Sequence, residues 1–469
     1  MDGRLRILAP MPVGAARRGT GETGLFWCCV LAVVMQLTLS THVLSSTLGY
    51  PAKVHPATMF LAVCAVYGVA RGIIPLHHRL RDAPGLVMFV FGIPLVMLYA
   101  VYFNGLSGAT VFIETFWSAG ILALLLEPAT AKQKRLLAGI LIALVALNIF
   151  LALYESVAQT ELFPLVFDPD AADASDELVE DFRAHAFYIH PLTASLVTSM
   201  GVFLLYGMRL RMLIAAPVFG LFVLGLLAYG GRTALGVTVA VSAVMAIYGL
   251  VAGLVKRKLS SDFLMAIGLA AVILPIFITV IVTETTIADR IIHNLYYDGS
   301  AEVRVTQWEV FRHLSMRDWM FGISKEQLAA MKYQIGLGGK GTDIENCWIL
   351  ILLDLGVFGF TLFVILFIGF LLHLGRHANS LNGWLLIGSS LVIDSTANSL
   401  GVWSNDLFVE AAFVIAIAGF KGYEPVRQRS RFRTRFPALA LQQLRSSPRS
   451  LALAAKPFNL PSLRGGKPG

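Results

Sequence analysis

"NCWILILLDLGVFGFTLFVILFIGFLL", residues 346–372, carries a single charged side chain, Asp354, in a run otherwise dominated by apolar residues. A hydrocarbon core of about 30 Å is crossed by about 20 helical residues, so this stretch is long enough to span a bilayer. Similar runs recur along most of the chain. Of its 469 residues, 57% are hydrophobic and 14% charged, against about 25% charged in soluble domains. A transmembrane barrel would show short segments of alternating polarity instead of continuous runs. The sequence therefore reads as an all-α polytopic membrane protein.

Twelve spans are predicted, near 25–44, 56–74, 85–103, 109–127, 136–158, 186–207, 212–230, 233–255, 263–283, 346–372, 383–401 and 407–420. No small-residue cleavage motif of convincing form follows the first run, so it reads as a retained span. The expected order is a polar segment 1–24, nine spans over 25–283, a long loop 284–345, three spans over 346–420, and a basic tail 421–469. The tail is rich in Arg, Ser and Pro and reads as disordered by composition.

Of 37 Lys and Arg residues, 26 gather on one side of this topology: the N-terminal segment, the loops around Arg79, Lys134, Arg209, Lys256 and Arg376, and the tail. That bias makes this side, and both termini, cytoplasmic. The formal charge of +8 is thus mostly a topology signal, and nucleic acid is not an expected partner. Cys28, Cys29, Cys64 and Cys347 lack the spacing of a disulfide framework or a metal site. They read as small core residues. No Asp/Glu/His cluster has ligand spacing either, so neither a metal nor another cofactor is expected.

Two outer segments stand out. The first contains "FDPDAADASDELVEDFR" (167–183), within eight acidic residues from Glu161 to Asp181. The second is the loop 284–345, too long to be a plain connection and expected to be partly helical. In "GSAEVRVTQWEVF" (299–311), Ser300 is a capping residue and Glu302 suits the first turn. Val303, Val310, Phe311 and Leu314 would line one side of that helix. Arg304, Trp308 and Arg312 would line another. A second helix is predicted at 324–335. "GLGGKGT" (336–342) is a flexible link; it lacks the spacing of a phosphate-binding loop.

Four groups of ionisable residues map to the outer side. They are "RAHAFYIHP" (183–191), with Arg183, His185 and His190; "YGGRTALG" (229–236), with Arg232 opening a span; Arg304; and "DIENCWILILLDLGVFG" (343–359), with Asp343, Glu345 and Asn346. An arginine there either grips a phosphate or snorkels to the interface. A histidine either shuttles a proton or merely begins a helix. Glu345 is either a general base in a partly buried site or a helix cap. Glu114, Glu155, Asp354, Asp394 and Glu410 lie in or near spans; some must pair internally, and acids there also suit a proton-coupled transporter.

In this order, the motifs "R…HP" (183–191), "GRT" (231–233), "R…W" (304–308) with "GIS" (322–324), and "EN…LLDLGVFG" (345–359) resemble those of the bacterial O-antigen ligase/polymerase superfamily. The motifs cover roughly 180–375. The resemblance implies a GT-C-like fold in the bacterial inner membrane and metal-independent glycosyl transfer at the periplasmic face. The substrate it implies is an undecaprenyl-diphosphate-linked oligosaccharide. Membrane lipids and other polysaccharide assembly proteins are the further expected partners. Arg183, Arg232 and Arg304, from separate outer segments, suit a diphosphate; the resemblance implies that Arg232 and Arg304 clamp it, that Glu345 or His190 is the catalytic base, and that Trp308 and Asn346 support them. Family members usually have His-Asn where this chain has Glu345-Asn346. Polymerisation of repeat units is therefore expected over ligation to a lipid A core, with a transporter or flippase of the same lipid-linked glycan as the rival class.

Overall fold

The structure is a computed structural model. It describes residues 20–40, 43–44, 54–105, 109–163, 184–188, 190–208, 210, 212–255, 305–337, 344, 346–378, 381–397 and 406–420. These residues form helices and turns, with no strand among them. The helices are α1 (Thr20–Thr38), α2 (Pro56–Ala70), α3 (Leu76–Asp82), α4 (Pro84–Asn104), α5 (Ala109–Leu126), α6 (Ala131–Ala158), α7 (Pro191–Met208), α8 (Met212–Ala228) and α9 (Arg232–Val255). Within the long loop lie α10 (Met316–Phe321) and α11 (Lys325–Gln334), and after it come α12 (Cys347–Ala378), α13 (Leu381–Ala397) and α14 (Asp406–Ala418).

Eleven of the twelve predicted segments fall on described helices; 263–283 lies outside the described residues, as does the tail after Phe420. Six helices are long and apolar enough to cross a membrane: α1, α4, α5, α6, α7 and α12. Shorter apolar stretches lie in α2, α8 and α9. Helix α14 is enclosed by protein. Every residue from Asp406 to Ile417 is buried, and it packs on α5, α6, α7 and α12. A helix enclosed in this way has no polar face to keep in water.

Long-range contacts sort into two ends. At the basic end Arg79 pairs with Glu127, and Lys134 meets His377. There α4 crosses α12 so closely that a Cβ on Gly85 would lie 2.4 Å from the carbonyl oxygen of Gly369. At the far end the connecting segments are fastened by side chains buried in the helices. Helix α5 contains a π-helical stretch, Phe112–Trp117, that carries Glu114. The Glu114 carboxylate accepts the backbone N–H of His55 at 2.5 Å and the Thr58 hydroxyl at 3.0 Å. It thereby satisfies the start of α2, whose orphan N–H groups have no water in a bilayer.

Two expectations are corrected. The sixth span begins at Pro191, not 186, because the N–H groups of residues 185–187 are taken by buried side chains instead of a helix. In the loop, the described residues Gln307–His313 form a 3-10 helix. Three residues per turn puts Gln307 and Val310 on one line, and these are its buried residues. Leu314 is already extended. Trp308 and Arg312 fall on the exposed side.

Candidate functional site

The first half of the site is built on α6. Glu155 is fully buried near its C-terminus. One carboxylate oxygen accepts the N–H of Leu162 at 2.8 Å; the other accepts those of His185 at 3.0 Å and Ala186 at 2.8 Å. Two turns earlier, Asn148 accepts the N–H of Phe187 at 3.0 Å and donates to the Tyr229 hydroxyl at 2.8 Å. The Ser40 hydroxyl donates to the Phe187 carbonyl. Ala186 is thereby held at φ +50, a left-handed conformation unusual for a residue with a Cβ. The segment 184–188 is thus pinned from three directions, and the chain emerges at His190 and Pro191 to start α7.

His190 is exposed, and its Nδ1 accepts the N–H of Leu192 at 3.2 Å. The ring caps α7 with one nitrogen and leaves Nε2 outside that bond. Arg232, half-buried, opens α9. Its neighbour Gly231 lies against α7: a Cβ there would sit 2.1 Å from the Ser195 hydroxyl. The "HP" and "GRT" motifs are therefore neighbours, and Asn148 links the two segments that lead into them. Burial pushes the Tyr188 phenol well above its ordinary range, with Tyr229 and Asp406 adding to the shift.

The second half is the docked loop. Asn346 caps α12, its Oδ1 accepting the N–H groups of Trp348 at 2.9 Å and Ile349 at 3.2 Å. Its own N–H donates to Gln307 Oε1 at 3.2 Å. Further along, Ile323 N–H donates to the Leu353 carbonyl at 2.8 Å. That carbonyl is available because α12 breaks at Gly356, at φ 60 and ψ 179. The loop backbone at Met320 and Gly322 comes within 2.5 Å of where a Gly356 Cβ would be. The "GIS" and "LLDLGVFG" stretches are thus in contact. Phe321 bridges Phe358 and Phe103, with ring centroids 5.8 and 4.8 Å away. Lys325 and Lys332 of α11 act electrostatically on Asp354.

Of the expected site residues, His190 and Arg232 stand on segments that meet where Gly231 lies against Ser195. Asn346 is a cap, and Trp308 lies exposed beside Phe311 with ring centroids 5.8 Å apart. Arg183, Arg304 and Glu345 lie outside the described residues. Among the described residues, no three His, Cys, Asp or Glu side chains gather as a metal site. All four cysteines are free, three of them buried.

No protein-family model and no curated protein matches this chain.

Between the two halves run Asp394 on α13 and Asp406 and Glu410 on α14, all buried. Glu410 interacts electrostatically with both aspartates, and Asp394 with Cys347 at the start of α12. Sequence reasoning missed Asn148, Gln307 and the break at Gly356. It also missed α10. A signal for α10 was present, since "SMRD" (315–318) and "SKEQ" (324–327) are both capping-box patterns and both boxes form.

Proposed function

We propose that the chain is a glycosyltransferase that joins lipid-diphosphate-linked oligosaccharide repeats at the membrane face opposite its basic end, as an O-antigen-type polymerase. The contact of Gly231 with Ser195 carries this reading, because it sets an arginine-headed helix start beside a histidine-headed one. An arginine at a helix start suits a diphosphate: the guanidinium supplies paired donors and the helix end supplies N–H groups. In the proposed reaction an acceptor hydroxyl attacks the anomeric carbon. The bond from that carbon to the diphosphate oxygen breaks, and the diphosphate leaves with the electron pair. Arg232, with Arg183 and Arg304, stabilises the charge developing on it. His190 or Glu345 takes the hydroxyl proton. Ligation to a lipid A core would use the same steps with a different acceptor.

The test is purified protein in liposomes given lipid-linked repeats. Chain growth that disappears in Arg232→Ala and Arg304→Ala, with both variants folded, supports the reading. Growth undiminished in both variants overturns it. A second reading, a transporter of the lipid-linked glycan, is favoured by the buried acids Asp394, Asp406 and Glu410, which suit proton coupling. Translocation without bond formation, abolished by Glu410→Gln, is its signature.

A further inference from the structure

Two helices measure how far the docked loop lies from the basic end. Helix α12 runs on unbroken after Gly356, and Phe358 lies eighteen residues before Arg376. At about 1.5 Å per residue this is about 27 Å. Helix α4 starts at Pro84, next to Arg81 and Asp82, and Tyr102 lies eighteen residues along it, again about 27 Å. A hydrocarbon core is about 30 Å thick. With the charged residues of the basic end at one boundary of that core, Phe358 and Tyr102 reach the other. The two helices pack on each other, and the Tyr99 ring of α4 lies against Gly359 of α12, so both distances end at one level.

The side chains at that level are aromatic and open. Tyr102 is 81% exposed and Phe358 53%. Towards the basic end, Leu98 and Leu95 on α4 and Leu362 and Ile365 on α12 are exposed as well, the surface that a spanning helix turns to lipid. The loop joins this surface through Phe321, the last residue of α10. Its ring stacks on Phe103 with centroids 4.8 Å apart and meets Phe358 at 5.8 Å. Phe103 in turn packs edge-on against Tyr102 at 4.9 Å. Rings gather in this way at the boundary between acyl chains and headgroups.

Helix α10 also carries the polar half of such a contact. Arg317 stands one turn before Phe321, on the same face of the helix. It is exposed and makes no ion pair among the described residues. Met316 beside it is 78% exposed. An exposed methionine and a ring continuous with the apolar surface of two long helices call for acyl chains, and a guanidinium one turn from the ring calls for phosphate. A bilayer surface offers both in that order.

We infer that α10 is an interfacial anchor: its Arg317–Phe321 face docks on the bilayer, with Phe321 at the acyl boundary and Arg317 on a lipid phosphate, and lipid thereby helps to hold the loop against α12. The inference rests on α4 and α12 spanning the bilayer, not on the transferase reading. The experiment uses the full chain in vesicles of phosphatidylcholine and phosphatidylglycerol, brominated either near the headgroup or near the chain end. Phe321→Trp adds one emitter to the wild-type fluorescence. The added emission should be quenched more by the shallow bromines than by the deep ones, and little by aqueous iodide. Quenching no stronger from the shallow bromines than from the deep ones, or quenching by iodide alone, overturns the inference. Arg317→Gln keeps the question decidable if that variant misfolds, because its site is exposed. It should speed hydrogen exchange at residues 316–323 about fivefold in the vesicles and leave it unchanged in a maltoside detergent, which carries no phosphate. Exchange unaltered in the vesicles, or raised equally in both media, overturns the inference.

Discussion

Ile323 donates its backbone N–H to the carbonyl of Leu353, 2.8 Å away, across the boundary between the long loop and a long apolar helix. An unbroken α12 would have used that carbonyl for its own ladder. The break at Gly356 frees it, and the loop takes it up. A helix is interrupted at membrane depth only where protein satisfies the freed groups, so the docked loop and the broken helix depend on each other.

Gly356→Ala should therefore undock the loop. A Cβ at φ 60 would be strained and would meet backbone within 2.5 Å. The expected loss is about 3 kcal/mol, read as a lower thermal midpoint in detergent and faster proteolysis within 305–337. An unchanged midpoint would show that the break is not required.

Gln307→Leu removes the acceptor for the Asn346 N–H and leaves a part-buried donor unpaired, costing about 1–3 kcal/mol. Gln307→Glu keeps an acceptor oxygen. The thermal midpoint in detergent should fall in the leucine variant and recover in the glutamate one, and so should the polymerase activity proposed above. Equal activity in both would remove Gln307 from the positioning of the loop.

Glu155→Gln replaces one of two oxygens that together accept three N–H groups with an amide donor. A loss of about 1–3 kcal/mol is expected, together with faster hydrogen exchange at residues 184–188. Exchange as slow as in the wild type would mean that Asn148 and Ser40 suffice to hold this segment.

The pH dependence follows from His55, whose ring is fully buried. Its Nδ1 accepts the Ala57 N–H at 3.0 Å, and Nε2 meets the Leu39 carbonyl oxygen at 2.5 Å. The tautomer is thus fixed, and protonation would cost the Nδ1 acceptor. Burial lowers its pKa from the ordinary 6.5, against the opposing effect of the Leu39 bond. The unfolded chain then binds the proton more readily, so stability is full above pH 6.5 and falls as the pH drops towards the folded pKa. The thermal midpoint of the wild type should fall between pH 7.5 and pH 5 (values bracketing the ordinary histidine range). The same fall in His55→Asn would assign the effect elsewhere.

The sequence by itself determined the long apolar helices. Runs such as 347–372 are long and apolar enough to cross a membrane, and they fold as helices. It also marked "GRT" as a break in an apolar run, "HP" as the start of a span and "GIS" as a motif of the long loop. Tertiary structure decided what those breaks do. Glu114 and Glu155 looked alike as acids in spans; both are anchors, because each meets backbone N–H groups from a segment remote in sequence. Asn148 carries no local signal at all, since its role exists only where residues 187 and 229 approach it. The helical period of residues 303–314 was read from a pattern that also fits 3.0 residues per turn over so short a stretch. The structure has the tighter form, with Gln307 buried and accepting the Asn346 N–H. Helix propensity and hydropathy are local quantities. The fastening of one segment to another depends on which backbone groups have lost their water, and that is settled only when the helices pack.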